Sequence, residues 1–443
     1  MNYSTLETLY TLFLQHPQVC TDTRAIVPGS IYFALKGANF DGNRFASDAL
    51  AAGCAAAVSD NEEIATQDSR IHLVSDVLTT LQQLATHHRR RLGLPVIEIT
   101  GTNGKTTTKE LCAAVLGRKY RVLYTEGNLN NHIGVPRTLL RLNAEHEIAV
   151  IETGANHPGE IRDLAAIVQP DAGLITNVGM AHIEGFGSFE GVVSTKCELY
   201  AQLRKTDGEA FLRLDDEILR QRAEGMRQHT YGSPQSGANV QGEAVAGEAF
   251  LRLRWRVGQG PWHDTPLQLI GGYNAPNALA AIAVGVRYGV PEADIEEALA
   301  AYKPTNNRSE LRRTDSNLLI VDAYNANPTS MAAALNNFAT LPHPHKRVIL
   351  GEMRELGEAT AQAHSDVLER LATMDLESIW LVGDAFRSSC AAAGETPALP
   401  GGLRTFGSVE GVRTALAEDK PKDALILIKG SNSTRLFTLP ELL

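Results

Sequence analysis

The stretch "PVIEITGTNGKTTTKELCAAVL", residues 95–116, constrains the fold more than any other part of the chain. Its nearly continuous apolar start reads as a strand buried on both faces of a parallel sheet. A glycine-rich turn follows, then a helical segment with Leu111, Val115 and Leu116 on one face. Strand, glycine turn and helix in that order make an anion cradle, because turn and helix N-terminal N–H groups converge on one point. Gly101, Thr102, Asn103, Gly104, Lys105, Thr106 and Thr107 are therefore candidate ATP-binding residues. Lys105 would reach the β/γ phosphates, and the Thr106 hydroxyl is placed to ligate Mg²⁺. The usual motif, G-x-x-x-x-G-K-[ST], has its first glycine where this chain has Ile99, so the match is a variant. The competing account is an ordinary glycine turn, which the buried strand and the G-K-T-T run argue against.

The same rhythm recurs. "EIAVIE" (147–152) and "AGLITNVG" (172–179) read as further buried strands, whereas "AFLRLRWRV" (249–257) alternates like a half-exposed antiparallel strand. After Pro304, "NLLIVDA", "RVILGE", "SIWLVGD" and "ALILIKG" are separated by helix-length sequence and predict a second parallel sheet. The first part of the chain mixes short apolar and turn-rich segments. At 443 residues, about 150 per domain suggests roughly three domains. The expected architecture is α/β in three domains: a small α/β N-terminal domain (1–90), a central P-loop-type, mostly parallel-sheet NTPase domain (91–306), and a C-terminal Rossmann-like α/β domain (307–443). The cluster His87 to Arg91 is expected to be a solvated helix end near the first boundary.

A hydrophobic fraction of 43 % and a charged fraction of 21 % suit a globular protein with ample core. Forty-one basic against fifty-one acidic residues, a net charge of −10, argue against a nucleic-acid or membrane-surface binder. No Lys or Arg precedes Arg24, and no apolar run approaches the roughly 20 residues that span a bilayer. Five scattered cysteines without C-x-x-C read as reduced, buried thiols. A cytoplasmic location, no nucleic acid and no membrane insertion are expected.

Glu152, at the carboxyl end of its strand, is well placed to hold magnesium. His182, in "ITNVGMAHIEGFGS", could reach the same crevice, although a lone histidine is more often structural. Lys196, in "GVVSTKCELY", raises a physical problem. An ammonium about 4 Å from a divalent cation costs roughly 8 kcal/mol at an effective dielectric of 20. Lys196 is either a surface lysine or chemically altered.

"TGTNGKTTT", "EGNLNNHIGVP", "ETGANHPGEI", "ITNVGMAHIEGFGS" and "GVVSTKCELY" resemble, in order and spacing, the Mur ligases of bacterial cell-wall synthesis. "TDTRAIVPGSIYFALKGANFDG", "GGYNAPNALAA", "NNRSE", "VDAYNANPTSM" and "LGEMRELG" extend the resemblance over nearly the whole chain. "DAYNANP" with "ETGANHPGEI" resembles in particular the member that adds D-alanyl-D-alanine. The resemblance implies that Lys196 is carried as an N-carbamate made with CO₂, and so becomes a magnesium ligand beside Glu152 and His182, with Thr106 serving the other metal. Lys105, Lys196, His182 and Glu152 form the implied catalytic set. Adenine and ribose are implied near Asn274, Asn277, Arg308 and Asp322. The UDP end of a sugar nucleotide is implied at Thr23, Arg24, Asp41 and Gly42, and the peptide and phosphate near Asn130 and Asn131. The acceptor dipeptide is implied at Tyr324, Asn325 and Asn327. Thr23 stands where the family usually has serine, Tyr273 where histidine is common, and Val321 where aspartate often precedes Asp322.

The implied reaction uses ATP and Mg²⁺ to activate the terminal carboxylate of UDP-N-acetylmuramoyl-tripeptide as an acyl phosphate, which the amine of D-alanyl-D-alanine attacks. A monomer is expected. Two alternatives stay open among enzymes: the sibling ligase adding the third amino acid, and a folylpolyglutamate synthase-like ligase. A P-loop switch that hydrolyses ATP to change shape is the competing class. It would turn over ATP without either co-substrate.

Overall fold

The computed structural model describes residues 4–245, 250–304, 310–392 and 402–443. Three main sheets follow one another along the chain. The first is parallel and four-stranded, in the order Val19–Cys20, Ile31–Phe33, Ala56–Ser59, Ile71–Leu73. The second has nine strands, and six of them meet around the glycine turn. Val122–Tyr124, Ile148–Glu152, Val96–Thr100, Ala172–Ile175, Glu209–Arg213 and Arg227–Gly232 lie side by side and parallel. Val240–Val245 adds one more parallel partner, and Phe250–Val257 and His263–Ile270 extend the sheet as antiparallel neighbours. The alternation in 249–257 has its expected cause there: Leu251, Leu253 and Trp255 are buried while Arg254 between them is exposed. The third sheet runs Glu310–Arg313, Asn317–Asp322, Ala424–Lys429, Lys346–Gly351, Ser378–Val382, Leu403–Phe406. It is parallel except at its first, antiparallel edge strand.

The α/β class and mostly parallel sheets are as the apolar runs predict. Two local expectations are corrected. The cluster His87 to Arg91 closes the helix Val77–Leu92, but it is not simply solvated. His88 and Arg89 are buried: the His88 ring meets the Leu142 carbonyl at 2.8 Å, and Arg89 reaches the Asp171 carboxylate at 2.7 Å. The helix lies between the first two sheets, so its last turn is shared by both. Among the cysteines, Cys20, Cys54 and Cys112 are buried, whereas Cys197 and Cys390 are only partly so.

That helix also explains how the first two sheets are joined. A single apolar cluster takes in Phe13, Ile31, Phe33, Leu81 and Leu84 together with Val96, Val135, Ala149 and Ile151 of the central unit. The third sheet builds cores of its own, around Phe338 and Leu350 on one face and Trp380 and Ile426 on the other.

Glu98 lies in the middle of the strand that leads into the glycine turn, fully buried. Thr153 donates to its Oε1 at 2.8 Å, and Oε2 has no partner among the described residues. Burial pushes its pKa up from 4.5 to about 8, against the smaller opposing effect of the Thr153 hydroxyl. A carboxyl raised in the folded state binds its proton more tightly there than in the unfolded chain. Its contribution to stability is therefore complete below about pH 4.5 and is lost as pH rises toward 8. At about 1.4 kcal/mol per pH unit between those values, the loss is on the order of 5 kcal/mol. Glu98→Gln, which cannot ionise, is expected to lose markedly less stability than wild type between pH 5 and pH 9. Urea-denaturation midpoints at both pH values check this. Equal pH slopes in the two proteins would contradict it.

Candidate active site

The carboxyl ends of the central strands open into a cleft of about 1020 Å³ that is closed on its far side by the third sheet. Gly101–Lys105, Thr107, Asn130, Asn131, Glu152 and Lys196 line it from the central unit, and Asp322, Tyr324, Asn325 and Lys429 from the C-terminal one. This is where ligands collect in open parallel α/β sheets.

The turn after Val96–Thr100 needs its glycines. Gly104 has φ +79°, and a Cβ there would come within 2.5 Å of Asn277 Oδ1. Asn177 accepts the Asn103 N–H at 3.1 Å and Thr176 donates to the Asn103 carbonyl at 2.6 Å, so the turn is clamped by the neighbouring strand end. Helix Lys105–Leu116 starts immediately after it. Lys105 Nζ folds back onto the Gly101 and Thr102 carbonyls at 2.8 and 3.0 Å.

Glu152 is 1 % exposed. The Thr106 hydroxyl donates to one of its oxygens at 2.9 Å and the Asn130 amide to the other at 2.8 Å. Both donors are neutral, and among the described residues Glu152 makes no ion pair. A carboxylate buried without a cation is costly. A divalent metal at Thr106 and Glu152 would remove that cost, so these two donors fit magnesium.

Lys196 is 3 % exposed, at the end of helix Phe189–Lys196. Among the described residues its Nζ hydrogen-bonds only the Ala155 carbonyl, at 3.3 Å, and it lies 5.4 Å from the centre of the Phe186 ring. The surface-lysine alternative is therefore excluded. Burial, and then the neighbouring Lys105 ammonium, hold its pKa well below the usual lysine range, while Glu160 and Glu198 oppose this. A neutral amine is the form to which CO₂ adds.

His182 lines the cleft from a left-handed backbone position, φ +52°. Its Nδ1 is bound by Glu355 of the C-terminal unit, so it bridges two units rather than facing Glu152 freely. Burial lowers its pKa, against the attraction of the Glu355 carboxylate. Among the described residues no three His, Cys, Asp or Glu side chains are grouped as a metal site. The set expected from the sequence includes a threonine and a modified lysine, which lie outside those residue types.

The adenine-side candidates form a chain of amides: Thr108 donates to Asn277 at 3.2 Å, Asn277 to Asn274 at 2.9 Å, and Asn274 to the Ile270 carbonyl at 2.8 Å. Asp322 accepts from Lys429 at 2.6 Å. Arg308 lies outside the described residues. Asn327 caps helix Pro328–Thr340 and also donates to Asn103 Oδ1 at 2.8 Å, so its side chain links the phosphate turn to the third sheet. Tyr324 and Asn325 line the cleft beside it, as do Asn130 and Asn131.

Thr23, Arg24, Asp41 and Gly42 are not part of this cleft. Thr23 and Arg24 form the short turn Thr23–Ala25, with Arg24 held by Asp22 at 2.7 Å. Asp41 accepts the Asn43 N–H at 3.0 Å, and a Cβ on Gly42 would come within 2.5 Å of the Leu35 carbonyl.

Sequence reasoning missed three residues. Asn177 follows a strand already recognised. Glu355 lies within the quoted "LGEMRELG" without a role. Lys429 ends the apolar run "ALILIK", the same kind of position that drew attention to Glu152.

A glycine turn at a helix start, a buried carboxylate and a buried lysine, closed over by the third sheet, form a site of the kind that nucleotide-dependent enzymes build at the ends of parallel strands. Family models cover most of the chain: the Mur ligase family, catalytic domain (17–89), the Mur ligase middle domain (99–285) and the Mur ligase, glutamate ligase domain (307–432). The chain belongs to the Mur ligase family. It is 40 % identical over 351 residues to the UDP-N-acetylmuramoyl-tripeptide–D-alanyl-D-alanine ligase of Bacillus subtilis, covering 79 % of this chain and 76 % of that one. Its fold matches crystal structure I of MurF from Acinetobacter baumannii with a TM-score of 0.85 at 32 % identity, covering 96 % and 92 % of the two chains. MurF ligase from Thermotoga maritima, crystallised with ADP, matches with a TM-score of 0.84 at 26 % identity, covering 97 % of each.

Proposed function

We propose that the chain joins D-alanyl-D-alanine to the terminal carboxylate of UDP-N-acetylmuramoyl-tripeptide, using ATP, through an acyl phosphate, as a step in peptidoglycan precursor synthesis in the cytoplasm. The observation that carries this reading is the buried Glu152 carboxylate, held by Thr106 of the phosphate turn and by Asn130, in the cleft that also holds Lys196. The relatives' names supply the substrates.

In this reading residues 1–90 hold the sugar nucleotide, 91–306 carry ATP and the chemistry, and 307–443 close over the nucleotide and hold the dipeptide. Magnesium held by Thr106, Glu152, His182 and a carbamylated Lys196 would supply the charge neutralisation that phosphoryl transfer needs. The turn N–H groups and Lys105 orient the β/γ phosphates toward the substrate carboxylate. Asn274, Asn277, Arg308 and Asp322 position the nucleoside, and Asn130 and Asn131 the peptide. Tyr324, Asn325 and Asn327 place the amine for attack, after which phosphate leaves. An acyl phosphate is lost if water reaches it, which gives the closing third sheet a purpose. No helix among the described residues is long and apolar enough to cross a membrane.

With ATP and the muramoyl tripeptide but no dipeptide, hydroxylamine is expected to trap an activated carboxylate as the hydroxamate. ATP consumption without any hydroxamate, in the absence of both co-substrates, would identify a hydrolytic switch instead.

A further inference from the structure

The strands Asn317–Asp322 and Ala424–Lys429 run parallel and end together, with Asp322 opposite Lys429 in register. Neighbouring residues of parallel strands project to the same side, so the carboxylate and the ammonium meet at 2.6 Å. Lys429 is 1 % exposed, and its Nζ also donates to the Asn325 carbonyl at 3.2 Å. Both residues line the cleft, together with Tyr324 and Asn325. Replacing a buried ion pair by apolar side chains is often neutral or stabilising. Stability of the sheet is therefore not a sufficient reason for a lysine at this depth. Lys429 occupies only Asp322 Oδ2, and Oδ1 accepts no hydrogen bond from a described residue.

We infer that Lys429 is a positioning residue that sets the nucleotide site and the acceptor site together. By holding Oδ2 it turns the other oxygen of Asp322 to a ribose hydroxyl. By holding the Asn325 carbonyl it fixes the loop that faces the incoming amine. The inference rests on the function proposed above.

Steady-state kinetics on the full chain, varying each substrate in turn, test it. Lys429→Met is expected to raise KM for ATP and for D-alanyl-D-alanine by about tenfold each, with KM for the UDP-linked tripeptide within about twofold of wild type. Lys429→Arg, which keeps the charge, is expected to recover part of both losses. Asp322→Asn leaves Lys429 on the Asn325 carbonyl and is expected to raise KM for ATP alone. If Lys429→Met does not fold, the double variant Lys429→Met/Asp322→Asn, which orphans neither charge, takes its place with the same expected pattern. A fall in kcat with all three KM values unchanged, or a parallel rise in all three, overturns the inference. Wild-type protein that forms no amide product from the three substrates overturns the underlying function itself.

Discussion

Lys105→Ala is expected to abolish ligation while leaving the chain folded. Without nucleotide, Lys105 bonds the carbonyls of Gly101 and Thr102, but other bonds hold the turn. Thr102 donates its N–H to the Asn177 carbonyl at 3.0 Å, Asn103 to Asn177 Oδ1 at 3.1 Å, and Thr176 clamps the Asn103 carbonyl at 2.6 Å. Loss of the lysine's bonds costs about 1–2 kcal/mol, which for a chain this long lowers Tm by only a few degrees. The lost function is larger, because a fixed charge aimed at the transferring phosphoryl group stabilises the charge of the transition state. A fall of about a thousandfold or more in kcat is expected. Thermal unfolding checks both halves: ATP should raise Tm of the wild type and leave the variant unmoved. Near-full activity in Lys105→Ala would remove the phosphate turn from the mechanism.

The second large effect belongs to Lys196. Burial lowers its pKa and so favours the uncharged form of an amine that sits beside a carbonyl and an aromatic ring, with no carboxylate in hydrogen-bond contact among the described residues. In the function proposed above, this amine is the precursor of a carbamate. Addition of CO₂ to the uncharged amine forms an N–C bond, releases one proton and leaves an anionic oxygen pair in place of the neutral nitrogen. Lys196→Ala is expected to lose about a thousandfold in rate, on the scale of removing one group that stabilises transition-state charge. Acetate or formate is expected to restore part of that rate and to saturate. Wild-type activity should fall in CO₂-depleted buffer and return with bicarbonate. Loss of activity with no rescue and no bicarbonate dependence would mean that the unmodified amine does the work. Unchanged activity would make Lys196 merely structural.

The predictions rest unequally on sequence and on structure. The phosphate turn was legible residue by residue, because the glycine positions, the preceding apolar run and the helix start are all local. So were the parallel sheets, since strands buried on both faces must be apolar throughout. Glu152 was legible for a related reason, as an acidic residue closing such a run. Lys429 closes an apolar run in the same way but was passed over, because a lysine in a core strand suggests no ligand by itself. The cluster His87 to Arg91 was misjudged because charge content reports an average preference for solvent. A helix wedged between two sheets buries whichever side chains face inward and pairs them, as Arg89 is paired with Asp171.

What the sequence by itself determined is the set of local units: a glycine turn between strand and helix on a parallel sheet, a second such sheet, and the polar residues at the strand ends. Each depends on periodicity and backbone dihedral preferences over about ten residues, and those are written in neighbouring side chains. Only the tertiary structure decided which of these ends face one another. Asn103 and Asn327 are 224 positions apart, and His182 and Glu355 are 173 apart. Such pairs form when whole sheets dock, and docking depends on the shapes of apolar faces assembled from many separate segments. No local pattern carries that information. The depressed pKa of Lys196 is likewise a product of docking, since burial and the Lys105 ammonium cause it and not its neighbours along the chain.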